Sequence, residues 1–98
     1  DKRKKADDKT IKEVRAQIDN TYIDFYANTI YYRLEFSEPD VFSLNINNSF
    51  TNGGKYSIRN GYISCTFDSN NKTTYVPYEM KDGEIILYPE IAWDVKEN

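Results

Sequence analysis

Between Ile30 and Glu90 apolar and polar residues alternate, interrupted only by turn-forming residues. Ile30, Tyr32, Leu34 and Phe36 fall on one side of an extended chain. Phe42, Leu44 and Ile46 repeat the pattern, and Ile63, Cys65 and Phe67 repeat it again. Successive side chains of a strand point to opposite faces, so a period of two predicts half-buried antiparallel sheet. The expected strands are 21–26, 29–36, 41–47, 55–59, 62–68, 73–80 and 84–88. Turns are expected at Ala27-Asn28, at Ser37 to Asp40 around Pro39, at Ser69 to Lys72 and at Lys81-Asp82-Gly83. The stretch 48–54, with Asn52-Gly53-Gly54, reads as a loop or bulged hairpin, and Asn60-Gly61 as a type I′ hairpin turn.

Ahead of the strands the period changes. Ile11, Val14 and Ile18 stand at helical spacing, which predicts one short helix over 8–18. Asp7 or Asp8 would cap it, and Asn20 would end it. Thr10 and Glu13 also fit a capping box, which would start the helix two residues later. After Pro89, the residues Ile91, Ala92 and Trp93 are expected to pack on the sheet as a short tail.

Seven or eight short, sequentially linked strands predict an all-β antiparallel meander. A single open sheet would leave one apolar face wet, so closure as a small barrel or compact sandwich is expected. Ninety-eight residues make one domain, burying roughly 60–70% of the unfolded surface. Residues 1–7 read as a polar tether and 8–98 as the domain. The chain begins at Asp1 without a secretory signal peptide, which is read as a processed or truncated N terminus.

Charge is unevenly placed. Residues 1–15 carry seven basic and four acidic residues, a balance of +3, and the remainder six and twelve, a balance of −6. The run Lys2-Arg3-Lys4-Lys5 would serve as a solvated tether; an acidic body behind it repels phosphate, so no nucleic-acid partner is expected. Cys65 is the single cysteine, so no disulfide within the chain and no cysteine-rich zinc site can form. It reads as a small buried hydrophobe. The chain has no histidine, which removes histidine-based triads and metal sites. Gly53-Gly54-Lys55 lacks phosphate-loop spacing. Glu35, Glu38 and Asp40 surround one turn, and Glu79, Asp82 and Glu84 another. They read as solubility charge rather than as calcium ligands or glycosidase acids. Asp68 to Thr73 only half suggests a calcium loop. The sequons at Asn47 and Asn71 read as chance among ten asparagines. No catalytic residue, metal or cofactor is expected.

Fifteen aromatic residues remain to be placed. Tyr32, Phe36, Phe42, Tyr56 and Phe67 fall on apolar faces and are expected in a mostly filled core. Tyr31, Tyr62 and Tyr75 fall on the opposite, polar faces. They are either cross-strand pairs that stabilise the sheet or contacts for a ligand or partner.

The segments 30–44 (IYYRLEFSEPDVFSL), 54–63 (GKYSIRNGYI) and 75–87 (YVPYEMKDGEIIL) together resemble the lipocalin-like domains of bacterial envelope lipoproteins. The resemblance covers residues 21–88 and rests on turns and alternation. The Gly-x-Trp that commonly opens such domains is replaced by Asn20-Thr21-Tyr22. It implies a small up-and-down barrel, export to the cell envelope, and often a lipid-anchored N terminus with residues 1–7 as spacer. These domains share no motif that carries chemistry, so no functional residue is transferred. The resulting expectation is a non-enzymatic extracytoplasmic domain that binds a small apolar or saccharide ligand at the barrel mouth. The alternative is a protein-interaction or inhibitor module using a tyrosine face or an edge strand.

Overall fold

The computed structural model describes residues 4–93. Helix α1 (Asp8–Ile18) comes first. Its first turn is held by Asp7, whose Oδ1 accepts from Thr10 N–H at 2.8 Å. The helix therefore starts where Asp7 caps it, and the alternative start at Thr10 is not used. Val14 and Ile18 are buried, with Ile11 packed beside them.

Seven strands follow: β1 (Thr21–Ala27), β2 (Ile30–Ser37), β3 (Val41–Ile46), β4 (Phe50–Ile58), β5 (Tyr62–Phe67), β6 (Thr73–Lys81) and β7 (Glu84–Leu87). They form one antiparallel meander in the order β1 to β7. The expected short tail is a five-residue helix, α2 (Pro89–Trp93); Ala92 and Trp93 pack on the core, but Ile91 stays exposed.

Curling comes from two strands that change partners along their length. β4 pairs with β3 over residues 50–55 and with β5 over 54–58. β6 pairs with β5 up to Pro77 and with β7 from Tyr78 onward. Proline has no N–H to give a ladder and sits at the change of partner. The sheet rolls into a half-barrel whose end strands, β1 and β7, do not pair. The helices lie across the gap: α1 touches both β1 and β7, and α2 spans β1 and β6.

The concave face is packed. Leu34, Phe36, Phe42, Ile58, Ile63 and Val76 are almost inaccessible, as is Cys65. Burial pushes the Cys65 thiol up to about 12, so it stays protonated and unreactive at neutral pH. Phe36 meets Tyr56 edge-on at 5.1 Å, and Phe42 meets Phe67 likewise at 5.1 Å. Trp93 packs on Phe25 at 5.7 Å and Tyr32 at 6.4 Å, covering one end. At the other end Arg15 lies over the Tyr56 ring, and the Tyr56 hydroxyl donates to Asp19.

Three local expectations are corrected. The stretch 50–54 is strand, not loop, because both glycines sit where neighbouring backbone comes close. A Cβ on Gly54 would stand 1.9 Å from Thr66 O, and one on Gly53 2.5 Å from Phe42 O. The first hairpin turn is Asn28-Thr29, one residue later than Ala27-Asn28, with both residues at positive φ (54° and 65°). Asn60-Gly61 is not type I′: of the two, only Gly61 has a positive φ. Paired positive φ values occur instead at Asn28-Thr29, Asn47-Asn48 and Asp82-Gly83.

Of the expected tether 1–7, residues 1–3, and with them Lys2 and Arg3, lie outside the described residues. Lys4 to Ala6 run along the end of β4. Asn60 N–H donates to Lys4 O at 2.9 Å, Ala6 N–H donates to Ile58 O at 3.3 Å, and Ala6 is buried.

Candidate functional site

The register of β1 and β2 places their outward side chains opposite one another. Tyr22 faces Glu35, Asp24 faces Arg33, and Tyr26 faces Tyr31. Arg33 donates from Nε to Asp24 Oδ1 at 2.8 Å and from Nη2 to Oδ2 at 3.1 Å. Its guanidinium also lies 3.9 Å from the centre of the Tyr22 ring. The Tyr26 and Tyr31 rings meet at 5.6 Å with a 53° tilt. Two of these rings are largely open to solvent, Tyr22 at 55% and Tyr26 at 69%.

The electrostatics follow from this contact. The guanidinium hydrogen bonds hold the Asp24 carboxyl below the usual carboxylate range. The Tyr31 hydroxyl is pushed up, first by desolvation and then by Asp24 beside it. Tyr31 therefore presents a neutral hydroxyl tip, next to an ion pair whose charges offset each other.

Of the three tyrosines singled out from sequence, Tyr31 lies in this strip. Tyr62 and Tyr75 form a separate pair on β5 and β6, edge-to-face at 6.2 Å. Tyr62 and Tyr31 are on strands three places apart in the sheet. Tyr22, Asp24, Tyr26 and Arg33 were not foreseen as site residues. Their signal was the alternation in β1 read against β2. The turn placed one residue early hid the pairing: it sets Tyr26 opposite Thr29 and Tyr31 opposite Asp24, two residues out of register on the same face.

Two concavities lie elsewhere. An open trough of about 550 Å³ runs over β3 and β4 beside Gly53, with Asn52, Lys55, Asp68 and Ser69 on its walls. Two of its polar side chains are committed locally: Asn52 Oδ1 accepts from Gly53 N–H at 2.9 Å, and Lys55 pairs with Asp40 at 3.5 Å. A slot of about 200 Å³ opens between β1 and β7, lined chiefly by Ile18, Ile23, Phe36, Ile85 and Leu87. Its volume is below the ~300 Å³ at which ligand pockets usually begin.

Two of the other carboxylates at the turns are also engaged. Glu38 accepts from Asn20 Nδ2 at 2.9 Å, and Glu79 accepts from the Tyr88 hydroxyl at 2.6 Å. Among the described residues, no group of three or more Asp, Glu, Cys or His side chains is placed to hold a metal ion. No helix among them is long and apolar enough to cross a membrane. Comparison of the chain with protein-family models, with curated proteins and with solved structures finds no match.

Proposed function

We propose that this chain is a non-enzymatic binding domain that acts outside the cytoplasm and holds a small apolar or saccharide ligand. In this reading the half-barrel is a lipocalin-like barrel whose seam is spanned by helices instead of a strand pair. Cell-envelope placement, with a lipid anchor upstream of Asp1, belongs to the same reading. A full-length precursor without a lipobox cysteine would remove the anchor. The observation that carries the proposal is the contrast between the two faces of the sheet. The concave face is packed with side chains, while Tyr22 and Tyr26 stand more than half exposed on the convex face beside the Asp24–Arg33 pair. Aromatic rings kept in water cost hydrophobic stabilisation, which a contact recovers.

A second reading, a protein-interaction or inhibitor module, is favoured by the outer edge of β1, which pairs with no strand among the described residues. Native mass spectrometry of the protein purified from its host separates the two. A co-purifying small molecule supports the first reading, and a stoichiometric protein adduct supports the second. A bare monomer, coupled with no saturation transfer from the protein to oligosaccharides, indole or octanol, contradicts both.

A further inference from the structure

We infer that the convex strip of β1 and β2 is a stacking platform for a short neutral oligosaccharide, with Tyr26, Tyr31 and Tyr22 as the rings and Asp24 and Arg33 as the hydrogen-bonding groups between them. The inference rests on the binding-domain reading and assigns its ligand class and place.

Geometry sets the size of the occupant. Seven residues of β1 extend about 20 Å, and two strands give a width of about 10 Å, so the strip offers about 200 Å². A stable protein partner buries about 800 Å² on each side. The strip is a quarter of that, and its neighbours on β3, Ser43 and Asn45, supply no further ring. A linear ligand that lies along the strands fits, and a folded partner does not.

Charge sets its chemistry. Asp24 and Arg33 neutralise one another through two hydrogen bonds. Glu35, opposite Tyr22, adds one negative charge at that end. A phosphorylated, sulfated or uronic ligand would meet this charge and the acidic body of the domain. A neutral sugar meets no such penalty. Its ring has an apolar C–H face to lie on Tyr26 and a rim of hydroxyls that can donate to Asp24 and accept from Arg33. Those two side chains are held planar and preorganised by their own pairing, which lowers the ordering cost of binding. The tyrosine hydroxyls add further hydrogen-bonding groups along the same line.

The test is an amide chemical-shift titration of the intact chain with maltohexaose, cellohexaose and chitohexaose in turn. Binding of at least one, with Kd of about 1 mM or tighter and shifts centred on residues 22–26 and 31–33, is expected. Tyr26→Ala should weaken that binding by about tenfold, the worth of one stacked ring, and Tyr26→Phe should restore most of it. Ile91→Ser, an exposed change away from the strip, should leave it unaltered. Shifts centred on the β3–β4 trough or the β1–β7 slot overturn the strip while leaving the binding-domain reading intact. Absence of shifts with all three sugars overturns the inference, and the co-purification experiment then judges the broader reading separately.

Discussion

Gln17 on α1 occupies the position that a neighbouring strand would take beside Ile85. Its Oε1 accepts from Ile85 N–H at 2.8 Å, and its Nε2 donates to Gly83 O at 2.9 Å. One carboxamide thus satisfies a donor in β7 and an acceptor in the turn just before it, as a strand backbone would. An unpaired edge is a template for association, and this side chain blunts it without closing the barrel.

Gln17→Leu keeps the bulk of the side chain and removes both bonds. We expect a loss of about 1–2 kcal/mol, because a partly buried N–H is left without its acceptor. Urea unfolding measures the loss, and amide exchange localises it. Exchange at Ile85 should accelerate far more than at Ile63 in the centre of the sheet.

Thr29 holds a φ of +65° in the first hairpin turn. A β-branched residue is disfavoured there by about 1–2 kcal/mol. Thr29→Asn suits that conformation and should stabilise the domain by about 1 kcal/mol, seen as a higher urea midpoint with an unchanged slope.

Gly54 has the opposite constraint. Its φ lies outside the left-handed region, but a Cβ would stand 1.9 Å from Thr66 O, a backbone atom that cannot swing away. Gly54→Ala should cost at least about 3 kcal/mol, because β4 must separate from β5 to admit it. Circular dichroism and urea unfolding check this.

The Asp24–Arg33 pair gives the domain an acid-sensitive contribution. Hydrogen bonds from Arg33 lower the folded pKa of Asp24 beneath its ordinary 3.8. A depressed carboxyl stabilises the folded state fully above its unfolded pKa and loses that contribution as pH falls through the folded value. Wild type should therefore lose stability below pH 3.8 more steeply than Asp24→Asn, which has no carboxyl to titrate there. The pair is solvent-exposed, so the difference is modest and shrinks in high salt. Unfolding curves from neutral pH into this acid range, at low and high salt, measure it.

Much of the fold was legible in the sequence because burial enforces the two-residue period. Tyr32, Leu34, Phe36, Phe42, Leu44, Ile63 and Cys65 are all buried as the alternation required, and the helix spans 8–18 as its Ile11, Val14 and Ile18 spacing required. What escaped depends on tertiary contact. Gly53 and Gly54 look like loop formers, yet they are strand residues because Phe42 O and Thr66 O approach them. Gln17 shows nothing in sequence of its bond to a residue 68 positions away. Closure escaped for the same reason: whether β1 reaches β7 is decided by where the helices lodge. The candidate site was half legible. The outward direction of Tyr31 followed from alternation, but its company did not. Tyr26 comes opposite Tyr31, and Asp24 opposite Arg33, only once the turn is placed at Asn28-Thr29.

Ligand contact belongs, on this proposal, to the outside of the packed half-barrel and not to its interior. Intermolecular nuclear Overhauser effects, recorded with the sugar that binds best, test this directly. Cross-peaks are expected from sugar C–H protons to the ring protons of Tyr26 and Tyr31, and none to the methyl groups of Leu34 or Val76, which are buried in the core. Cross-peaks to those methyls, with the tyrosine rings silent, would contradict it.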